Sequence, residues 1–507
     1  VIGLVLSFLS GYIALSYEIL WYRAYSFTSM GTADAFALLL GAYLTGLALG
    51  AWASRVLCRV ADAAAAGTPF PVIRNLTLAG NALGFLVVPA LGWLVSKGCP
   101  WRMLVSLAGA AALGLGALFP VISHAWIPPD GQVGRRVSYM YLANILGSTL
   151  GSLLTGMVLM DHLTLAQISV VLGVLGLVIA GALHAKGSTG SRRLAGLGAL
   201  GAAAVVLMAG GGSLYDGLYE KLQFHGQYTP STRFAHVVET KSGVITVTKE
   251  GRIYGGGIYD GAFNTSLREK DDLNSVIRPY ALAEMHPSPR EVLMIGLSSG
   301  SWATIVANNP AVEHLTIIEI NAGYLRLIPQ YPAVAGLLTN PKVRIEIDDG
   351  RRWLVRNPER RFDLIVSNTT FHWRSNASNL LSKEFMELIR SHLREGGVFF
   401  YNTTASRRVM YTGASVFRHA LRVMYFQAVS DSPIPMDLDR LKRRLWSYPW
   451  EGGTLLDRSH PGDEERMERV IADLSRQLER DDSLRAPGVY ARMITDDNMG
   501  TEWEEAP

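Results

Sequence analysis

Five side chains able to bind or transfer protons fall within one nine-residue stretch: Asn368, His372, Trp373, Arg374 and Asn376. An imidazole there can act as a general base near neutral pH. A guanidinium can clamp a carboxylate or phosphate. Trp373 can stack on a sugar or an acyl chain, or else sit in the core and make the stretch a hydrogen-bonded brace. Asn368 and Asn376 add amide donors and acceptors. Asp260, within Gly257–Gly261, can close such a site from a neighbouring element or form an ordinary turn. Asp496 and Asp497 can reach the site or cap the fold, and the sequence does not separate these. There is no zinc pattern, and Cys58 and Cys99 flank successive apolar runs, so a disulfide between them is not expected.

A second constellation precedes this one. Gly296 and Gly300, with Ser298 between them, follow the apolar run 291–295 and read as a tight turn into a helix. Free N–H groups at such a turn favour a polar or anionic group. Glu319 ends the next apolar run, where a carboxylate can accept from a ribose diol. Asp349 ends the one after, where it can accept from an adenine amino group. Loop, Glu319 and Asp349 in register point to a nucleoside-type site; the alternative is that the carboxylates only cap helices.

The elements that must position these residues alternate. Runs at 291–295, 314–320, 343–347, 362–367 and 398–402 read as strands, with helical stretches between them, notably 382–393. That alternation implies a mostly parallel, doubly wound sheet, which binds ligands beyond the C-terminal ends of its strands. Ahead of it, period-two patterning from His236 with turns at 241–243 and 249–251 reads as a small antiparallel β-meander. The stretch 437–482 is charged and helical in pattern, reading as a solvated or lid-like helix.

The first 212 residues are different in kind. The chain is 507 residues long, with 18% charged residues and a mean hydropathy of +0.19. Apolar runs near 2–22, 35–53, 72–96, 102–124, 137–160, 164–185 and 194–212 are each long enough to span a bilayer as a helix. The first reads as a span rather than a cleaved leader. Gly147, Gly151, Ser152 and Gly156 in the fifth run provide small-residue spacing for close helix packing. Glu18, inside the first run, is costly unless it is paired or near the interface, so it is either a functional residue or a headgroup-level side chain paired with Arg23 or another helix end. The net charge of +4 reflects membrane-flanking arginines, so no nucleic-acid partner is inferred.

Seven spans put Arg55, Arg59, Arg74, Arg135, Arg136, Lys186, Arg192 and Arg193 on one face and Arg23, Lys97 and Arg102 on the other. Eight against three places the N-terminus in the cytoplasm and the C-terminal domain outside. The expected organisation is a transmembrane domain over 1–213, a linker and β-unit over 214–262, an α/β domain over 263–436 and a charged helical extension over 437–507.

Residues 236–425 resemble the spermidine synthase family, which pairs a small β-unit with a methyltransferase-like Rossmann fold. The matching segments are 292–300, 317–320, 343–350, 362–366 and 381–385. The whole layout resembles the membrane-fused spermidine synthase-like proteins of bacteria, with further echoes at 17–21, 141–147, 495–498 and 502–503. The resemblance implies that Gly296, Ser298, Gly300, Glu319 and Asp349 hold the nucleoside of S-adenosylmethionine or of its decarboxylated form. The sequence departs from the family's pattern at the catalytic aspartate after the fourth strand, where Asn368 stands, and an amide cannot serve as that base. The His–Glu pair expected near 277–284 has no counterpart, and the glycine-rich loop has become serine-rich. These departures argue against ordinary polyamine synthesis.

Three functions follow as expectations. The first is a transferase anchored in the inner membrane, using an adenosyl donor if its domain is cytoplasmic. The second is an extracytoplasmic enzyme without that donor, acting on a glycan or lipid-linked envelope component through His372. The third is a ligand-binding transporter or sensor. The lipid bilayer is an expected partner in each; oligomeric state is not readable.

Overall fold

The computed structural model describes residues 1–63, 69–269, 274–368, 371–450, 453–480, 482–485 and 492–503, with no description of side chains at 60–63 and 482. The chain divides into two compact units, Val1–Val244 and Ile245–Pro507. This division falls inside the stretch that the sequence assigned to linker and β-unit.

Among its described residues, the first unit contains seven helices long and apolar enough to cross a membrane. They are α1 (Ile2–Thr28), α2 (Ala33–Ala63), α3 (Phe70–Val95), α4 (Trp101–Trp126), α5 (Val133–Leu153), α6 (Leu165–Gly187) and α7 (Gly190–Gly210). All seven apolar runs are therefore helical. A π-helical turn, Leu154–Leu159, continues α5. Its Thr155 hydroxyl donates to Ser16 Oγ on α1 at 3.0 Å, satisfying two polar groups in an apolar setting.

The small residues of α5 do what their spacing suggested. A Cβ on Gly147 would lie 1.9 Å from the Phe8 carbonyl oxygen, and one on Gly151 would lie 2.4 Å from that of Tyr12. Only glycine lets α1 and α5 approach this closely. Arg23 is not a partner for Glu18: its guanidinium donates to the carbonyls of Thr240 and Lys241 at 2.6 and 3.1 Å. Glu18 is half-buried between the fully buried Tyr17 and Trp21. Cys58 and Cys99 are not disulfide-bonded. After a short helix, α8 (Leu218–Phe224), the unit ends with strand β1 (His236–Thr240).

The boundary falls within β2 (Gly243–Val247), which is followed by β3 (Arg252–Gly255) and β4 (Ile258–Ala262), successive antiparallel strands. Gly256 and Gly257 connect β3 to β4 at φ +61° and +84°, the two left-handed positions of a tight hairpin. Asp260 accordingly lies on a strand, not in a turn.

After α9 (Ile277–Met285) come β5 (Glu291–Ile295), α10 (Ser301–Ala307), β6 (His314–Glu319), β7 (Val343–Ile347), α11 (Gly350–Arg356) and β8 (Phe362–Ser367). Helix α12 (Lys383–Ser391) is capped by the Ser382 hydroxyl and leads into β9 (Leu393–Asn402). Then follow α13 (Arg407–Val416), β10 (His419–Val423), β11 (Phe426–Ser430), α14 (Leu438–Trp446), α15 (Asp463–Arg476) and β12 (Leu478–Arg480).

The main sheet has the order β12-β10-β11-β9-β8-β5-β6-β7. Strands β5 to β9 are parallel, whereas β10, β11 and β12 add antiparallel pairs at one edge. The sheet is thus mixed, and the sequence reading missed β10 and β11. The chain winds outward in both directions from the β5/β8 pair. That is a topological switch point, where loops diverge and leave a crevice. The segment after 437 is part of this fold: β12 joins the sheet edge, and Ile494 is buried in the core.

Candidate functional site

The turn after β5 places Gly296, Ser298 and Gly300 at φ +92°, +49° and +77°. Ser298 adopts a conformation that suits glycine better. Its hydroxyl donates to the Asp260 carbonyl at 2.6 Å, and Ser301 Oγ donates to that of Ala262 at 2.7 Å. The serine-rich substitution therefore ties the loop to β4. Beside this turn is a space of only about 10 Å³, lined by Gly296, Leu297, Ser298, Asp260 and Asn368 among others.

Glu319, 4% exposed at the end of β6, accepts the N–H of Leu297 and of Asn321, each at 2.7 Å. Burial pushes its carboxyl up to about 7; those backbone bonds oppose the shift and the nearby Asp260 adds to it. A carboxylate offers about four acceptor positions, and with Leu297, Asn321 and Ser298 giving backbone bonds about one is left for a diol hydroxyl. Ile320, immediately after it, is 57% exposed. Asp349 caps α11 by accepting the Arg352 N–H at 2.8 Å, the capping role weighed as the alternative. Glu319 and Asp349 nevertheless end adjacent strands, joined by the Asp348 N–H bond to the Glu319 carbonyl at 3.1 Å.

Below the crevice is a cavity of about 310 Å³. It is lined by Asp260 from β4, by Asn274, Ser275 and Arg278 at the start of α9, and by Asn368 and residues 371–374 after β8. Asn402, Thr404 and Tyr425 complete the far side. Asp260 receives the Tyr324 hydroxyl on its carboxylate. Burial pushes its carboxyl up to about 6, against the opposing effects of Tyr324, Ser298 and the Arg374 charge. The His372 imidazole pairs through Nδ1 with the Thr404 hydroxyl, and burial lowers its pKa. Its carbonyl accepts from Thr501 at 2.5 Å, tying the loop to the C-terminal segment. Asn368 Oδ1 accepts from Asn402 Nδ2 at 3.3 Å. Trp373 is 3% exposed, so it is both core and wall.

The structure therefore gathers Asp260, Asn368, His372, Trp373 and Arg374 around one cavity, with Gly296 and Ser298 at its inner edge. It does not bring Asn376, Asp496 or Asp497 to the wall. Asn376 sits in a left-handed turn at φ +66°, its side chain exposed and its N–H given to Glu502 at 2.8 Å. Asp496 holds Arg351 through two bonds of 2.8 and 2.6 Å, bracing the fold. Asp497 is exposed. Thr369 and Thr370 lie outside the described residues.

Sequence reasoning missed Tyr324, Arg278 and Glu502 as parts of this site. Glu502 takes the N–H groups of Asn376 and Ser378 at 2.8 and 2.9 Å, fixing the loop that carries His372. Its only signal was a late acidic–aromatic pair. Arg278 lies in the 277–284 stretch, where no spacing or motif marks it as a wall residue.

Residues 280–424 match the spermine/spermidine synthase domain. The chain is 27% identical over 180 residues to the polyamine aminopropyltransferase of Bacillus subtilis (strain 168), spanning 35% of this chain and 60% of that protein. It is 29% identical over 142 residues to the spermidine synthase of Schizosaccharomyces pombe, spanning 28% of this chain and 47% of that protein. Among solved structures, a spermidine synthase from Thermotoga maritima aligns with a TM-score of 0.37 at 16% identity, covering 47% of this chain and 84% of that one. The C-terminal unit therefore contains a spermidine synthase-type domain, and the chain spans only about half to three-fifths of these curated relatives.

Proposed function

We propose that the protein is a membrane-anchored transferase that moves a group from an adenosyl donor to an acceptor other than a polyamine. The donor would be S-adenosylmethionine or its decarboxylated form. The observation that carries this reading is the cavity beside the Gly296–Gly300 turn, where Asp260 and His372 stand close to Asn368. Relatives in the comparison are aminopropyltransferases, which supports a transferase kind.

The residues present fit the donor. Glu319 retains acceptor capacity for a ribose diol, exposed Ile320 offers an apolar face for adenine, and Asp349 stands at the neighbouring strand end. The donor, when bound, supplies a carbon activated by an adjacent sulfonium. This chain's contribution is to orient the acceptor's nucleophile and take its proton. Asn368 cannot do that, but Asp260 and His372 can, since both are available as bases at neutral pH with the perturbations described. The acceptor's proton would pass to Asp260 Oδ or to the His372 imidazole.

Isothermal titration of S-adenosylmethionine and its decarboxylated form into the full-length protein tests the reading, with Glu319→Ala expected to weaken binding by about tenfold or more. No binding of either nucleoside at millimolar concentration would count decisively against it.

A second reading is favoured by one observation, the odd number of spans combined with the cationic-loop count. It makes the protein an extracytoplasmic enzyme of the inner membrane that has lost the adenosyl donor and modifies a glycan or lipid-linked envelope component. Unchanged envelope lipids and glycans in a His372→Ala strain would eliminate it.

A further inference from the structure

Among the described residues of the second unit, two buried indole N–H groups meet no acceptor: Trp373, 3% exposed, and Trp302, 5% exposed. An indole N–H can only donate, and leaving it unpaired in a buried setting is unfavourable. Trp373 is in the wall of the 310 Å³ cavity, and Trp302 lines the small space that adjoins it at Asp260 and Asn368. The cavity's other strongly charged wall groups are Arg278 and Arg374, which also only donate. The Arg278 guanidinium is held in place over Trp302 and Phe426, 5.2 and 4.6 Å from their ring centroids, and by the carbonyls of Ser275 and Asn274 at 3.2 and 2.8 Å. Among the described residues, Asp260 is the one carboxylate of the wall, engaged by the Tyr324 hydroxyl and offset by the Arg374 charge. A diammonium chain needs several anionic acceptors, whereas the charged side chains of the described wall are two guanidinium donors and one carboxylate.

We propose that the cavity binds the oxyanion end of the acceptor, a carboxylate or a phosphate, through Arg374, Arg278 and the Trp373 N–H. The proposal deepens the transferase reading and rests on it for the role of the bound molecule as acceptor. Held by its anion at the Trp373 side, such a molecule extends its nucleophile toward Asp260 and the Gly296–Gly300 turn.

The test titrates glycerol 3-phosphate, succinate, glycerol and putrescine separately into the full-length protein in detergent. At least one of the two anions is expected to bind about tenfold or more tightly than glycerol or putrescine. Preference for glycerol 3-phosphate assigns a phosphate and preference for succinate a carboxylate. Trp373→Phe and Arg374→Gln are each expected to weaken that binding by roughly tenfold, the effect of losing a hydrogen bond to a charged group. Thermal unfolding reports whether each variant is folded, and Arg374→Gln carries the test where Trp373→Phe does not fold. Putrescine or glycerol binding as tightly as the anions would overturn the proposal. So would failure of both anions to bind at millimolar concentration, or wild-type affinity in the folded variants. Decarboxylated S-adenosylmethionine, titrated into the same preparation, separates the two ideas. Anion selectivity without nucleoside binding leaves the oxyanion site standing and removes the transferase reading; nucleoside binding without anion selectivity does the reverse.

Discussion

At the scale of single residues, the cavity carries two titratable groups, Asp260 and His372, beside the Asn368 amide, and the proposed mechanism uses one of the two as its base. Burial raises the Asp260 carboxyl to about 6 and lowers the His372 imidazole. Each base is protonated and inactive below its own pKa, so transfer rate should rise with pH and level off above about 7. Asp260→Asn should remove the limb near 6 and lower kcat by at least about a hundredfold if Asp260 takes the proton. A pH–rate profile of wild type and variant decides between Asp260 and His372, because only loss of the true base abolishes its limb. The same shift has a sign for stability. A carboxyl whose folded pKa lies above its ordinary value stabilises the fold most below that ordinary value, and the contribution is lost as pH rises through about 6. Asp260→Asn, which keeps an acceptor for Tyr324, should therefore gain melting temperature relative to wild type at pH 8 more than at pH 5. Asn368, Trp373 and Arg374 were legible in the sequence because they crowd into one short stretch. Tyr324 and Arg278 were not, because each reaches the cavity from an element whose facing is decided only by tertiary packing.

At the scale of elements, the hairpin and the late loop do the positioning. Gly256 and Gly257 set the β3–β4 turn, and this makes Asp260 a strand residue facing the crevice. Substituting Gly257 by valine should displace Asp260 and lower activity while leaving nucleoside binding at Glu319 largely intact. Glu502 closes the turn at 376–378 with two backbone bonds. Glu502→Ala leaves the buried Ser378 N–H and the part-buried Asn376 N–H without their partner and should cost about 1–3 kcal/mol, measured by denaturant unfolding. Among the helices, Gly147→Val should destabilise the α1–α5 packing by several kcal/mol, since its Cβ would overlap the Phe8 backbone. The strands with long apolar runs were readable from sequence, and so were all seven membrane-length helices. Strands β10 and β11 were not: they pair antiparallel at an edge, where neither alternation with helices nor a turn dipeptide marks them. Likewise Asp496 read equally well as a ligand or as a brace, and the choice rested on Arg351, distant in sequence.

At the scale of the whole molecule, a helical unit of membrane-spanning character and a spermidine synthase-type domain are carried on one chain. The seven candidate spans among the described residues are compatible with a multi-pass membrane protein, and the face that carries the C-terminal unit separates the two proposed readings. A compartment-dependent reporter fused after Pro507 should then be active outside the cytoplasm if the envelope reading holds, and inside if the adenosyl reading holds. The claim that joins site, domain and relatives is that the α/β unit binds an adenosyl donor at Glu319. Isothermal titration of decarboxylated S-adenosylmethionine into the purified full-length protein and into Glu319→Ala tests it most directly. The account expects saturable binding to the wild type and a loss of about tenfold or more in the variant. Absence of binding to the wild type at millimolar concentration, or equal affinity in a folded Glu319→Ala protein, would contradict it.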